Sequence, residues 1–155
     1  MSIGILTSGG DCPGLNAVIR AAVLKGTAVH GLDFVGIKNG WKGIVEGDLM
    51  ELGRPQVVGI SKQGGTILGT SRTNPFEGGG PERVAEVMKE SGMEAIIAIG
   101  GEGTLAAAMP ECRAIQPTWR PMTSATMQRW CESPVVRRRS IASVAMLTAV
   151  SKPKE

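Results

Sequence analysis

Two apolar runs in this chain each end in a Gly-Gly pair and are followed by a helical pattern, which restricts the fold more than any other feature. Residues 3–7 run towards Gly9-Gly10, and residues 95–99 run into Gly100-Gly101. A short apolar run bounded by turn residues is typical of a buried strand, and strands that alternate with helices form parallel sheets. The sequence therefore predicts an α/β fold, with a parallel sheet and flanking helices.

The other expected elements follow from apolar spacing and from turn residues. Asp11 is a suitable N-cap and Pro13 suits a first helical turn, so a helix is expected from there to about His30, closed by Gly31. Residues 57–61 fit either a strand or a helix. The remaining expectations are a strand at 34–37, a turn at Asn39-Gly40, loop and edge structure at 43–52, a strand at 66–69, a helix opened by Pro81 with Val84, Val87 and Met88 on its apolar face, and a helix beginning at 104–108.

The composition changes abruptly near residue 108. All 22 glycines lie in residues 1–108, whereas average usage would place roughly three in the remainder. Nine Lys/Arg and eleven Asp/Glu give residues 1–108 a net charge of −2, and eight against three give residues 109–155 a net charge of +5. The sequence therefore predicts a folded region at 1–108 and a poorly ordered tail at 109–155.

Composition also excludes several classes of protein. Cys12, Cys112 and Cys131 have neither the spacing of metal ligands nor that of a redox pair. The N-terminus has no basic start and only a short apolar run, which argues against a signal peptide. The longest apolar stretch, residues 141–150, is half of the about 20 residues that a membrane helix needs. We therefore expect a soluble cytoplasmic protein that does not enter membranes.

The two glycine-rich turns are candidate anion sites. Ligands of parallel α/β sheets bind beyond the carboxyl ends of the strands, so residues 8–11 and 100–104 are expected to share one crevice. Backbone N–H groups of a Gly-Gly turn and of a helix N-terminus attract phosphate. Glu102 would repel phosphate unless a cation such as Mg²⁺ lay between them. Thr104 can add a hydroxyl contact, and Arg72 could neutralise a phosphoryl group.

Each of these residues also has an ordinary structural explanation. Glycine turns follow strands in many α/β domains, a glutamate at a strand end is usually solvated, and Arg72 alone is more often a surface charge. The chain contains no GxxxxGK[ST] motif and no complete GxGxxG motif. Spacing alone therefore leaves both explanations open.

Three longer motifs resemble one known family. ILTSGGDCPGLNAVIR (residues 5–20), GGTILGTSR (64–72) and AIIAIGGEGTLAAA (95–108) are similar, in the same order, to motifs of bacterial ATP-dependent 6-phosphofructokinases. Cys12 and Glu102 resemble the variants found in actinobacteria. The resemblance covers residues 2–108 and implies a truncated phosphofructokinase N-terminal domain, from which the tail at 109–155 departs.

The resemblance implies a role for particular residues. Glu102 takes the place of the Mg²⁺ ligand, where many members have Asp. Gly103 stands where pyrophosphate-using relatives have Asp, so ATP is the expected donor. Arg20 matches a position that binds an ADP effector, although a solvated helix arginine is the alternative. The implied nucleotide-binding residues are Gly10, Arg72, Thr73, Gly101, Glu102, Gly103 and Thr104.

The resemblance also implies an activity and a reason for its loss. The family transfers the γ-phosphoryl group of MgATP to the 1-hydroxyl of fructose 6-phosphate, giving fructose 1,6-bisphosphate in glycolysis, and its members form homotetramers. An Asp in a TIDND motif acts as the general base. This chain has no Asp after Asp48. We therefore expect the chain to be inactive alone, and the alternative is an ATP-binding remnant without turnover.

Residues 109–155 suggest two further hypotheses. Their lack of glycine and their Arg, Pro, Ser and Thr content are typical of out-of-frame translation of a GC-rich gene, which the nucleotide sequence near codon 109 tests. Their positive charge could instead bind nucleic acid non-specifically. Basic and aromatic residues do not alternate over any length of the tail, so nucleic-acid binding is the less favoured function.

Overall fold

A four-stranded sheet forms the centre of the fold. The structure, a computed structural model, describes residues 1–75, 80–101, 103–104 and 107–108. The strand order is β3-β2-β1-β4; β1 is parallel to β2 and β4, and β3 is antiparallel to β2. The predicted α/β sheet with flanking helices is therefore confirmed, with one antiparallel strand at its edge. The strands are β1 (Ser2–Ser8), β2 (Asp33–Ile37), β3 (Leu49–Glu51) and β4 (Met93–Gly100).

Helices cover both faces of this sheet. Side chains alternate along each strand, so that Ile3 and Ile5 of β1 face one core and Leu6 faces the other. On the first face pack α1 (Leu15–His30), the short α3 (Arg54–Val57) and a 3₁₀ turn (Ile60–Lys62). On the second face pack α2 (Trp41–Glu46) and α4 (Gly80–Glu90). No helix within the described ranges is long and apolar enough to cross a membrane.

Helix α1 begins later than the sequence predicts. Its N-cap is Gly14, with a φ of 103° and no side-chain cap, so Asp11 is not the cap and Pro13 precedes the helix. Two glycines with positive φ, Gly9 and Gly14, turn the chain between β1 and α1 and delay the first helical turn. The end of α1 is as predicted, because Gly31 has a φ of 61° and its N–H donates to the carbonyl of Thr27.

The segment after β2 differs in part from its prediction. Asn39 and Gly40 form the expected turn, and β3 provides the expected edge structure. Residues 41–46, however, form helix α2 where loop structure was expected from residue 43 onwards. This helix has six residues, too few to show a helical period in the sequence, and it is stabilised by burial of Trp41 and Ile44. Residues 57–61, which fitted either structure, contribute to helical turns.

The prediction of a strand at residues 66–69 is wrong. Gly65, just before the segment, and Gly69, its last residue, have φ values of 74° and 71°, so the backbone turns instead of extending. The N–H of Leu68 donates to the hydroxyl of Thr66 in the same segment, at 3.1 Å. The segment is therefore a loop whose backbone is held by side chains and not by a strand ladder.

The last predicted elements are confirmed where the structure describes them. Val84, Val87 and Met88 of α4 are buried, as expected for its apolar face, and the helix is followed by Gly92 with a φ of 68°. Strand β4 contains the predicted residues 95–99. The described part of the last segment, residues 103–104 and 107–108, is helical. The predicted tail at 109–155 lies outside the described residues.

Replacing Gly43 by Ala tests the packing of α2. A Cβ at this position would collide with the backbone carbonyl of Lys38. We expect Gly43→Ala to lower the free energy of unfolding by about 1–3 kcal/mol, measured by urea denaturation. Gly64→Ala is the matched control, since no atom of the described residues would lie within 4 Å of its Cβ. Equal unfolding midpoints for the two variants would contradict this packing.

Candidate functional site

A cleft lies where the chain reverses direction across the sheet. From the central strand β1 the chain passes through α1 to β2 on one side, whereas β4 lies on the other side. The last residues of β1 and β4, Ser8 and Gly100, are partners in register, so their carboxyl ends meet at this switch point. The cleft there has a volume of about 530 Å³. Its lining residues are Ser8, Gly9, Gly10, Trp41, Ser71, Arg72, Thr73, Asn74, Gly101, Gly103, Thr104 and Ala107.

Glycines of the two turns expose their backbone to the cleft. A Cβ placed on Gly10, Gly101 or Gly103 would meet no atom of the described residues within 4 Å. The backbone of these residues is therefore accessible to a ligand. Gly103 and Thr104 lie at the start of the last helical segment, where backbone N–H groups and the helix dipole favour an anion.

Close packing joins the two turns below this open backbone. A Cβ at Gly100 would collide with the carbonyl of Ser8 and with the hydroxyl of Thr104. At Gly9, which has a φ of 89°, a Cβ would lie 3.3 Å from Thr104 Oγ1. Only glycine permits the two strand ends to approach this closely without distortion.

A third wall of the cleft is the segment that ends in Arg72 and Thr73. Ser71 fixes it, because its carbonyl accepts from Ser8 Oγ at 3.0 Å and from the Gly9 N–H at 3.4 Å. The side chain of Arg72 is exposed, and within the described ranges no carboxylate forms an ion pair with it. The guanidinium can therefore pair with an anionic ligand, with the geometry that suits phosphate oxygens.

Two buried polar atoms at the cleft have no hydrogen-bond partner in the described part of the chain. They are Thr104 Oγ1 and Trp41 Nε1, and both residues are 3% exposed. A buried polar group without a partner costs about 1–3 kcal/mol. Such atoms are expected where a ligand or water completes the site. Trp41 was not predicted as a site residue, and nothing in the sequence motifs pointed to it.

The structure brings most of the predicted binding residues together. Gly10, Arg72, Thr73, Gly101, Gly103 and Thr104 line the same cleft, although they come from three separate segments. Glu102, the predicted Mg²⁺ ligand, lies outside the described residues and stays a prediction. The residues that the structure does describe include no cluster of three or more His, Cys, Asp or Glu side chains that could hold a metal.

Arg20, the predicted effector residue, is not part of this cleft. It lies on α1 and is partly exposed, and its Nε is buried without a partner among the described residues. Its role as an effector residue stays a prediction. Ser8 and Gly9 line the cleft as part of the first predicted turn. The lining residues that the sequence did not indicate are Trp41, Ser71, Asn74 and Ala107.

Fold and site together define an α/β protein with a glycine-walled cleft at the switch point of its sheet, the usual place for a ligand in this class. A model of the family described as Phosphofructokinase matches residues 2–124. The chain belongs to the phosphofructokinase family, as its motifs predicted. This match extends to residue 124, past residue 108, where the resemblance was expected to end. The alignments with two curated relatives span 109 residues.

Curated relatives include users of both phosphoryl donors. The chain is 56% identical over 109 residues to pyrophosphate–fructose 6-phosphate 1-phosphotransferase of Amycolatopsis mediterranei (strain S699), covering 70% of this chain and 32% of the relative. It is 53% identical over 109 residues to ATP-dependent 6-phosphofructokinase 3 of Streptomyces coelicolor, with the same coverage. The chain thus spans about a third of the length of these relatives.

Solved structures agree with the fold. Pichia pastoris phosphofructokinase in the T-state superimposes with a TM-score of 0.69 and 35% identity, covering 79% of this chain and 13% of that one. A pyrophosphate-dependent phosphofructokinase from Nitrosospira multiformis gives a TM-score of 0.66 at 17% identity, covering 73% and 29%, and supports the fold alone.

Proposed function

We propose that the cleft binds MgATP, the phosphoryl donor for fructose 6-phosphate in a phosphofructokinase reaction. The observation that carries this proposal is that residues distant in sequence meet in one cleft. Six residues from three separate segments, each expected to contact the nucleotide, line one cleft at the switch point of the sheet. Binding of sugar phosphate, assembly into tetramers and a cytoplasmic location are part of the same proposal and rest on family membership.

The chain's own groups would hold the polyphosphate in three ways. Backbone N–H groups at Gly10 and Gly101 lie on open backbone and can approach phosphate oxygens. Arg72, exposed at the third wall, offers two parallel N–H donors to one phosphoryl group. The hydroxyl of Thr104, buried without a described partner, gains one when a ligand oxygen enters.

Magnesium fits this arrangement as a bridge between the ligand and the second turn. Mg²⁺ prefers oxygen ligands and is usually held by one or two carboxylates together with substrate phosphates. Glu102 is the carboxylate that the sequence provides beside Gly101 and Gly103. Bound there, the ion would neutralise charge on the phosphoryl group as it transfers.

The open space at Gly103 supports ATP as the donor. Among the described residues, no atom would lie within 4 Å of a Cβ at this position, so these residues leave space for a ligand beside it. An aspartate there would add both volume and negative charge beside the ligand's phosphates. Pyrophosphate is the other candidate donor, because relatives that use it are among the most similar proteins.

We further propose that this chain binds the donor without turning it over. Phosphoryl transfer to a hydroxyl needs a carboxylate base within reach of that hydroxyl. The aspartates of the chain are Asp11, Asp33 and Asp48, and none of them lines the cleft. Asp48, which lies between α2 and β3, instead forms an exposed ion pair with Lys38, at 3.6 Å.

Replacing Arg72 tests the binding proposal. We expect Arg72→Ala to weaken MgATP binding by about 10-fold or more in calorimetry, because it removes a charge-assisted contact worth about 1.5–3 kcal/mol. Arg54→Ala is the matched control, since Arg54 is an exposed arginine on α3 outside the cleft. Equal affinity of the two variants would contradict the proposed site.

A coupled assay for fructose 1,6-bisphosphate on the unmodified chain accompanies this titration. We expect MgATP binding with no product formation. Product formed at a rate that scales with protein concentration would show that another residue replaces the missing base.

Replacing Gly103 tests the choice of donor. We expect Gly103→Asp to lower affinity for MgATP by at least about 10-fold, by crowding and by repulsion between like charges. Gly103→Asn has nearly the same shape without the charge, so a smaller loss in that variant measures the repulsion separately. Tighter binding of pyrophosphate than of MgATP by the unmodified chain would favour the other donor.

A further inference from the structure

The loop that leads to Arg72 is held in place by buried polar side chains outside the cleft. Residues 63–71 contain no strand, and the backbone turns at Gly65 and again at Gly69, which both have a positive φ. Such a loop is not fixed by a strand ladder, so other groups must satisfy its buried backbone. Two side chains from neighbouring elements do so: Asn16 of α1, which is 1% exposed, and Thr7 of β1, which is 0% exposed.

Asn16 contacts the first half of the loop at several points. Its Oδ1 accepts from the N–H of Ile67 at 2.8 Å, and its Nδ2 donates to the carbonyl of Gln63 at 3.3 Å. A longer contact, 3.5 Å, joins Nδ2 to the carbonyl of Gly64. The backbone N–H of Asn16 also donates to the carbonyl of Gly65, at 3.2 Å. One residue at the start of α1 thus contacts four residues of the loop, all within residues 63–67.

Thr7 contacts the second half of the loop. Its hydroxyl donates to the carbonyl of Gly69 at 2.8 Å. Because a hydroxyl carries a single proton, the 2.8 Å contact between the hydroxyls of Thr7 and Thr66 has Thr66 as donor. Thr66 Oγ1 in turn accepts from the N–H of Leu68 at 3.1 Å. These bonds form a short chain from the end of β1 into the loop.

The two anchors lie close in sequence to the groups that face the ligand. Gly69, held by Thr7, is three residues before Arg72, and Ser71 is held at the cleft by Ser8 and Gly9. Neither Asn16 nor Thr7 lines the cleft. They lie in β1 and α1, the two elements that flank the first glycine turn. The elements beside one wall of the cleft therefore also fix the loop that forms another wall.

We infer that Asn16 and Thr7 are positioning residues, which set where Arg72 meets a polyphosphate ligand. The inference rests on the proposed function, because it assumes that Arg72 contacts the donor. If this is so, replacing Asn16 weakens MgATP binding because Arg72 is no longer held in position. The loss should then be small in a chain that already lacks Arg72. Residues that act through one another give non-additive effects in a double-mutant cycle, whereas separate structural effects add.

The test is a cycle of Asn16→Ala and Arg72→Ala, with MgATP affinity measured by calorimetry. We expect Asn16→Ala to weaken binding about 10-fold when Arg72 is present and less than about twofold in the Arg72→Ala background. An equal loss in both backgrounds would overturn the inference. If Arg72→Ala itself leaves affinity unchanged, the proposed function fails, so the two failures are distinguishable.

A second pair of variants covers the case in which Asn16→Ala does not fold. Thr7→Val removes the hydroxyl with little change of shape, and Thr7→Ser keeps it. We expect Thr7→Val to weaken MgATP binding by about fivefold, with Thr7→Ser close to the unmodified chain. Thr27→Val is the control, because the hydroxyl of Thr27 also donates to a loop carbonyl, that of Leu32, at 3.1 Å near the other end of α1. Equal losses in Thr7→Val and Thr27→Val would overturn the inference.

Discussion

The pairing of β1 with β4 is the constraint on which the site depends. Their register runs from Ile3 opposite Ala95 to Ser8 opposite Gly100, so both strands end at the same level. Each strand leads directly into a glycine turn. The turns can touch only because Gly100 has no side chain to collide with the carbonyl of Ser8. A shift of this register would move one turn away from the other and divide the cleft.

Apolar and polar side chains occupy different parts of the interior of the fold. Along β1 and β4 the apolar side chains fill two cores, one under α1 and one under α2 and α4. Buried polar side chains concentrate where the strands end, at Thr7, Ser8, Asn16 and Thr104. Burial of polar groups is tolerated only where hydrogen bonds compensate for lost hydration. Most of these groups bond to loops around the cleft, so the polar part of the interior organises the site.

The sequence predicted those elements that consist of a clear apolar pattern or that end at a recognisable turn residue. Strands β1 and β4 are continuous apolar runs, and Gly31 marks the end of α1, so their approximate limits were visible. Helix α2 was missed because six residues show no period, and its stability depends on burial of Trp41 against distant residues. The expected strand at 66–69 was wrong because its apolar residues suggested extension, whereas Asn16 and Thr66 bond its backbone as a loop.

The motifs indicated more of the residues that line the cleft than physical reasoning alone did. Glycine turns after strands suggested a shared crevice, and Arg72 was a candidate for phosphate contact that could equally be a surface charge. Only the family resemblance singled out Thr73. Trp41 and Ser71 could not be predicted, because they reach the cleft through packing between segments that are distant in sequence.

The most direct test of the proposed site is a titration of the ¹⁵N-labelled chain with MgATP, followed through its backbone amide NMR signals. Glycine signals are suited to this test because glycines occur at both ends of the sheet. We expect the largest shifts at Gly9, Gly10, Gly101 and Gly103, and unchanged signals at Gly31 and Gly92, which lie next to the amino ends of β2 and β4. Saturable shifts at Gly31 and Gly92, with none at the cleft glycines, would contradict the proposed site.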